Sequence, residues 1–329
     1  MRIVVTGGAG FLGSRVIRLL LARLDRSAAP IPFEQIVSFD LVECPVDDPR
    51  VVSVVGDVAD PELISQVITD DTVAVYHLAA VLSGGSEEDF DLAMRVNVDG
   101  TKALLEAARA TGTQPRFVFT SSLAVFGGPM PDQVPESLAT MPESTYGAVK
   151  AMGELLVNEY SRKGFIDGRV LRLPTISVRP GQPNSAASSF ASGILREPLN
   201  GIASTVPVPH ETRMWLSSPD VAVHNMVHAL GVPGDEIGGW RTLNLPGITV
   251  TVGQMLESLE RVGGAEARAL VTDEPDQRIR DIVGSWPGDF DVERPVALGF
   301  TRDTEFDEVV AQYRDEFVAP ATGSAEQEG

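Results

Sequence analysis

The stretch Thr6-Gly7-Gly8-Ala9-Gly10-Phe11-Leu12-Gly13 decides how the rest of the chain is read. It follows the apolar run Ile3-Val4-Val5 directly and leads into an amphipathic segment over 12–24, so the glycines fall between an expected strand and an expected helix. Their spacing is Gly7-x-x-Gly10-x-x-Gly13. In that context Gly7 permits a tight turn, Gly10 lets backbone approach a pyrophosphate, and Gly13 lets the helix pack close to the strand. The helix start at Phe11 and Leu12 supplies amide donors and the positive end of the helix dipole. A glycine cluster alone is a weak signal; between strand and helix it points to a dinucleotide.

Working outward, the alternation continues. Residues 35–39, 51–55, 73–76, 116–119 and 170–173 read as short strands, mostly apolar on both faces, and 61–69, 87–109 and 146–162 carry helical spacing. That order predicts an α/β fold: a doubly wound parallel (Rossmann) sheet with helices on both faces. Asp40 ends the second strand, where a carboxylate accepts the ribose hydroxyls and repels a 2′-phosphate, so NAD is expected over NADP; an Asp capping a turn is the alternative. Asp57 and Val58 close the third strand, where Asp57 either meets the adenine amine or caps the helix after Pro61. Leu78, Ala79 and Ala80 leave room for the middle of the cofactor, and His77 reads as a packed, hydrogen-bonded histidine.

Composition bounds the function. The 329 residues are 43% hydrophobic and 22% charged, ordinary for a globular enzyme, with a formal net charge of −20 that argues against nucleic-acid or membrane-surface partners. Cys44 is the only cysteine, which excludes an intrachain disulfide and a Cys-based zinc site. No membrane span or signal peptide is read, and a cytoplasmic location is the default. His224 and His228 share a helical face, but no third ligand is evident and no metal is expected. Beyond Pro174 the texture changes to prolines, glycines and shorter helices over 185–196, 218–230, 252–262 and 303–316. The expected plan is a nucleotide-binding domain over 1–173, a substrate lobe over 174–318 with some elements returning to the first domain, and a disordered tail over 319–329.

The chemistry is concentrated in Tyr146-Gly147-Ala148-Val149-Lys150, preceded by a strand ending Thr120-Ser121-Ser122. The i, i+4 spacing puts Tyr146 and Lys150 on one helical face. A free tyrosine ionises near pH 10, and a neighbouring ammonium together with a positive nicotinamide ring brings it toward neutral pH, fit to act as a base. Ser122 can hydrogen-bond the reacting oxygen.

With these motifs in place, the chain resembles the extended short-chain dehydrogenase/reductase (NAD-dependent epimerase/dehydratase) superfamily over essentially its whole length. Gly7-x-x-Gly10-x-x-Gly13, Asp40, Asp57-Val58, His77-Leu78-Ala79-Ala80, Asn97, Thr120-Ser121-Ser122, Tyr146-x-x-x-Lys150 and Arg172-Leu173-Pro174 carry the resemblance. It implies Ser122, Tyr146 and Lys150 as the catalytic set, Asn97 as a helix-bending residue near the cofactor, Lys150 on the nicotinamide ribose, and Pro174 beside the cofactor. Leu123-Ala124 stands where dehydratases of the superfamily carry Asp-Glu, and Leu173-Pro174-Thr175 where its epimerases place Tyr-Phe-Asn. Neither activity is therefore favoured. The strings 80–91, 122–129, 179–190, 211–215 and 284–288 resemble a branch that oxidises C2 of a four-carbon sugar acid. The resemblance adds Ser83, Asn184 and Arg213 to Ser122 and Tyr146 as substrate contacts. Arg213 is the candidate for the carboxylate, since relatives keep an anion-binding Arg there; Arg179, Arg278 and Arg280 are alternatives. Relatives also pair the helices of residues 96–110 and 146–162, so a homodimer is expected through Leu104, Leu155 and Leu156. The alternatives are a nucleotide-sugar epimerase that retains NAD, a uronate or small-polyol dehydrogenase, and a non-catalytic NAD(H) sensor.

Overall fold

The structure is a computed structural model that describes residues 1–181, 189–284 and 286–318. Asn184, the start of the expected 185–196 helix and the 319–329 tail lie outside the described residues. Six strands, β1 (Arg2–Thr6), β2 (Gln35–Asp40), β3 (Val51–Val55), β4 (Thr72–His77), β5 (Arg116–Ser122) and β6 (Asp167–Leu173), run parallel in the order 3-2-1-4-5-6. After β7 (Thr175–Ile176), β8 (Ser204–Val206) and β9 (Arg213–Ser217), strand β10 (Thr242–Asn244) adds to the edge of β6 in parallel and completes a seven-stranded sheet. β6 therefore lies next to the edge, which is filled from the second half of the chain. Two small sheets complete the molecule: β7 and β11 (Ile248–Thr251) flank β9, and β12 (Val271–Asp273) pairs with β8.

Side chains alternate across the large sheet, and each face has its own core. On one face Ile3, Val5, Ile36 and Tyr76 pack against Val16 and Leu20 of α1 (Phe11–Asp25). On the other, Val4, Phe39, Phe117 and Phe119 meet Ile64 of α2 (Pro61–Val67). The next helices are α3 (Ser83–Glu88), α4 (Phe90–Ala93), α5 (Gly100–Ala110) and α6 (Thr145–Arg162). The segment expected as one helix over 87–109 is thus interrupted: between α4 and α5 lie six residues of π-helix, Met94–Asp99. Leu104, expected outside the sheet-facing stripe, is fully buried with Leu105 in this second core, and Leu156 packs at its edge, so only Leu155 of the three faces outward.

Later helices are α7 (Ser189–Leu199), α8 (Pro219–Gly231), α9 (Gly234–Ile237), α10 (Val252–Ala269), α11 (Gln277–Gly284), α12 (Glu293–Ala297) and α13 (Phe306–Tyr313). α8 returns to the large sheet, adding Ala222, Met226 and Leu230 to the first core. Its last carbonyls are gripped by the fully buried Arg169 of β6, which donates to Ala229 O at 2.9 Å and Val232 O at 2.6 Å while pairing with Asp167 at 2.8 Å. A guanidinium suits a helix C-terminus because it meets both the free carbonyls and the negative dipole end. α10 runs past the expected 252–262 and changes direction at Gly264, where φ is +85°. α7, α10 and α13 build a separate core around Ile194, Met255 and Val310.

Candidate active site

In a doubly wound sheet the strand order reverses once, and the crevice outside the carboxyl ends there is the ligand site. Here the reversal lies between β1 and β4. Thr6 ends β1 and holds the loop after β4: its carbonyl accepts from Leu78 N at 3.1 Å and its hydroxyl from Ala79 N at 3.2 Å. Gly7 turns with φ +70°, and a Cβ there would stand 2.7 Å from Ala79 N. A Cβ on Gly13 would fall 2.0 Å from Gly7 O, so the helix can begin this close to the loop only with glycine at 13. Gly10 caps α1 without a side chain, leaving the first-turn amides at Phe11, Leu12 and Gly13 unpaired within the helix. Asp40 accepts from Ala9 N at 3.0 Å and Leu41 N at 2.7 Å, which sets a carboxylate beside that loop. The cradle has no space for side chains, has first-turn amides free, and carries an acid rather than a cation at the end of β2. These residues fit a dinucleotide whose adenosine ribose is unphosphorylated.

Farther along this rim, Asp57 accepts from Ala59 N at 2.9 Å and from Arg95 at 2.6 Å. Val58 beside it is buried in the second core. Arg95 leaves no signal in the local motif. Asn97 sits in the π turn and brackets the backbone of one residue, accepting from Val81 N at 2.8 Å and donating to Val81 O at 3.0 Å. The helix irregularity therefore fixes the Leu78-Ala79-Ala80-Val81 loop. Just beyond, Ser83 is half-buried at the start of α3. His77 is buried between the hydroxyls of Thr6 and Thr101, both at 2.8 Å, and burial brings its pKa down to about 3. It is a neutral structural residue.

α6 presses against the end of β5. Ser144 caps it by accepting from Gly147 N at 3.1 Å, and Glu87 of α3 accepts from Thr145 N at 2.6 Å. A Cβ on Gly147 would be 2.0 Å from Ala124 O, which places the first turn of α6 against the loop after Ser122. One turn on, Lys150 is 3% exposed and donates to Thr120 O at 2.8 Å, with its ammonium 5.7 Å from the Tyr146 ring centre. Another turn on, Glu154 accepts from Ser121 Oγ at 2.5 Å and holds Arg172 in a buried bidentate pair at 2.9 and 2.7 Å. Lys150 and Glu154 thus grip consecutive residues of β5 and set the register in which Tyr146 meets the strand end. The i+4 spacing from Lys150 was the available signal for Glu154. Ser122, the last residue of β5, is half-buried and accepts from Ala124 N at 3.1 Å.

Burial pushes Tyr146 up to about 12, with Arg179 pulling the other way. Burial also brings Lys150 down to about 8, opposed by Glu154. With the protein groups alone, desolvation outweighs the opposing charge of Arg179 and leaves Tyr146 protonated at neutral pH. Arg179 lies just past β7, half-buried. Arg213 opens β9 with 46% of its side chain exposed and lies 3.6 Å from Asp289, while Arg278 and Arg280 are exposed on α11. Pro174 is buried between β6 and β7.

Distant strings meet beside this site. Leu123, Val125 and Phe126 form one small core with Trp215 and Phe290, where ring centres lie 5.5 Å (Trp215–Phe290) and 5.7 Å (Phe126–Phe290) apart. The second half of the chain is thereby clamped onto the loop that follows Ser122.

A family model described as the NAD dependent epimerase/dehydratase family matches residues 3–232. The chain is 51% identical to a D-erythronate dehydrogenase of Cupriavidus necator, across 96% of this chain and 98% of that protein. It is 45% identical to a D-erythronate dehydrogenase of Haemophilus influenzae, across 95% and 98%. Among solved structures it is similar to that of a nucleoside-diphosphate-sugar epimerase from Agrobacterium tumefaciens, with TM-score 0.91, 37% identity and coverage of 96% and 94%.

Proposed function

The chain belongs to the NAD-dependent epimerase/dehydratase family, and from that premise we propose that it oxidises the C2 hydroxyl of D-erythronate to 2-dehydro-D-erythronate. The observation that carries the substrate is the 51% identity to a D-erythronate dehydrogenase along nearly the whole of both chains. The enzyme is an NAD-dependent oxidoreductase. When bound, the cofactor supplies the hydride acceptor and a positive ring. Gly7, Gly10 and Gly13 with the amides of Phe11 and Leu12 hold its phosphates, Asp40 its ribose, Asp57 and Val58 its adenine end, and Leu78, Ala79, Ala80, Asn97 and Pro174 the wall around it. The Tyr146 phenolate takes the C2 hydroxyl proton, Ser122 donates to the same oxygen, and Lys150 anchors Tyr146 and the nicotinamide ribose. Ser83 and Asn184 complete the substrate contacts.

Dehydration finds no support, since Leu123-Ala124 after β5 puts no acid where a leaving hydroxyl would be protonated. Epimerisation is the second reading, favoured by the likeness to the Agrobacterium epimerase. We place the enzyme in the cytoplasm as a homodimer; Met152 and Leu155, 42% and 62% exposed on α6, offer apolar surface to a second copy. No described helix is long and apolar enough to cross a membrane. A screen of four- and five-carbon aldonates and UDP-sugars with NAD, read at the NADH band, separates the readings. Net NADH with D-erythronate is expected; conversion of a UDP-sugar without net NADH would replace this proposal with the epimerase.

A further inference from the structure

On the proposed oxidation, the substrate carries its carboxylate on the carbon next to the one that reacts. Carboxylate and hydroxyl oxygens of such an acid stand roughly 3 Å apart, so the cation that receives the carboxylate must lie next to the base itself, in hydrogen-bond reach of the same small molecule. Arg213 does not meet that condition. Its charge is shared with Asp289, and nearly half its side chain is in solvent. Arg278 and Arg280 are exposed on α11.

Arg179 does. Its main chain is pinned on both sides to α7: its amide donates to the buried Ser192 hydroxyl at 3.1 Å, and its carbonyl accepts from Arg196 at 3.0 Å. Arg196 spends its own charge on Glu197 at 2.6 Å, with both side chains largely buried. Two guanidiniums therefore stand side by side with one carboxylate, and among the described residues Arg179 forms no ion pair. Leu173, the last residue of β6, is in register with Ser122, and the chain continues from there through β7 to Arg179, whose charge reaches Tyr146. A half-buried guanidinium with no counter-charge is costly in a chain of net charge −20, which has acids to spare elsewhere. The arrangement is relieved by an anion that enters with the substrate.

We infer that Arg179 is the residue that binds the substrate carboxylate and makes the enzyme selective for acids over neutral polyols. The planar fork meets two carboxylate oxygens, and the bound acid then presents its C2 hydroxyl to Tyr146. The inference rests on the hydroxy-acid reading of the site and deepens it.

The test compares D-erythronate with its neutral amide as substrates at saturating NAD, for wild type, Arg179→Met and Arg179→Lys. Arg179→Met is expected to lower kcat/KM for the acid by about 10²-fold, in line with loss of one partner of a desolvated charge pair. Turnover of the amide should change less than about threefold, so that the preference for acid over amide collapses. Arg179→Lys keeps the charge but not the fork and should lose about tenfold on the acid. Unchanged NAD affinity by fluorescence titration shows that the variants are folded. If wild type oxidises the acid and Arg179→Met keeps the acid preference, the Arg179 assignment falls while the hydroxy-acid reading stands. If wild type oxidises no aldonate, both fall together.

Discussion

The two halves of the molecule each bury two cations with one carboxylate, and they hold the spare cation differently. Under β5 and β6, Glu154 and Arg172 neutralise each other, and the Lys150 ammonium is seated on the Thr120 carbonyl with Glu154 one turn away. Across the crevice, between β7 and α7, Arg179 sits beside Arg196 and Glu197 with one cation in excess. In the first arrangement the spare cation, Lys150, has a carbonyl acceptor within the protein, and the cluster fixes the register of α6 on β5. The second becomes neutral when an anion arrives. On the proposed reading this division suits invariant chemistry on a chosen substrate: the nucleotide half holds the reacting groups, and the second half leaves a charge for the substrate to satisfy.

The contrast breaks most visibly at Tyr146. Tyr146→Phe keeps the ring and its packing but removes the proton acceptor, so kcat should fall by about 10²–10⁴-fold or more, with NAD affinity unchanged by titration. Retention of a third of wild-type kcat would move the base elsewhere and detach the chemistry from α6.

Cofactor choice should show a smaller effect. Asp40 would stand against a 2′-phosphate as a like charge, which costs several kcal/mol, so kcat/KM for NAD should exceed that for NADP by about 10²-fold. Asp40→Ala should narrow the ratio; equal values for both cofactors in wild type would show that this carboxylate does not face the ribose.

Much of this half was legible because its signals are local. Glycines six residues apart, an acid at the end of β2 and a Tyr–Lys pair one turn apart are each confined to a few residues, and parallel strands buried on both faces read as short apolar runs. Less visible was whatever depends on contacts across the chain. Leu104 looked surplus to the sheet-facing stripe because α5 was read in one phase from residue 87, whereas the π turn around Asn97 rotates its faces. β10 has three residues and gained its place only by pairing with β6. Nothing in the local sequence distinguishes Arg179 from Arg213; their different surroundings, α7 for one and Asp289 for the other, arise only from contacts across the chain.

A third test concerns a buried titratable group that the nucleotide half keeps uncharged. Folded His77 stays neutral down to about pH 3, while in the unfolded chain it titrates near 6.5. Between those values the unfolded state binds a proton that the folded state does not, so stability falls as pH is lowered. From pH 6.5 to 5 this group should remove about 2 kcal/mol. Urea unfolding at the two pH values, compared with His77→Asn, should show a shallower dependence in the variant; identical slopes would mean that His77 takes up a proton inside the sheet.

The smallest effect belongs to the paired cation of the second half. Because Arg213 is nearly half exposed and shares Asp289, Arg213→Lys should move KM for D-erythronate less than about threefold, as exposed ion pairs contribute little. A tenfold rise would return the carboxylate to Arg213 and erase the contrast between the halves.

The central claim, oxidation at C2, is tested most directly with D-erythronate deuterated at that carbon. After reaction with unlabelled NAD, the reduced cofactor is examined by proton NMR and mass spectrometry. Hydride transfer from C2 requires one deuterium on each reduced nicotinamide, equimolar with the 2-dehydro acid formed. Reduced cofactor without deuterium, or deuterium kept in the acid with no net NADH, would contradict it.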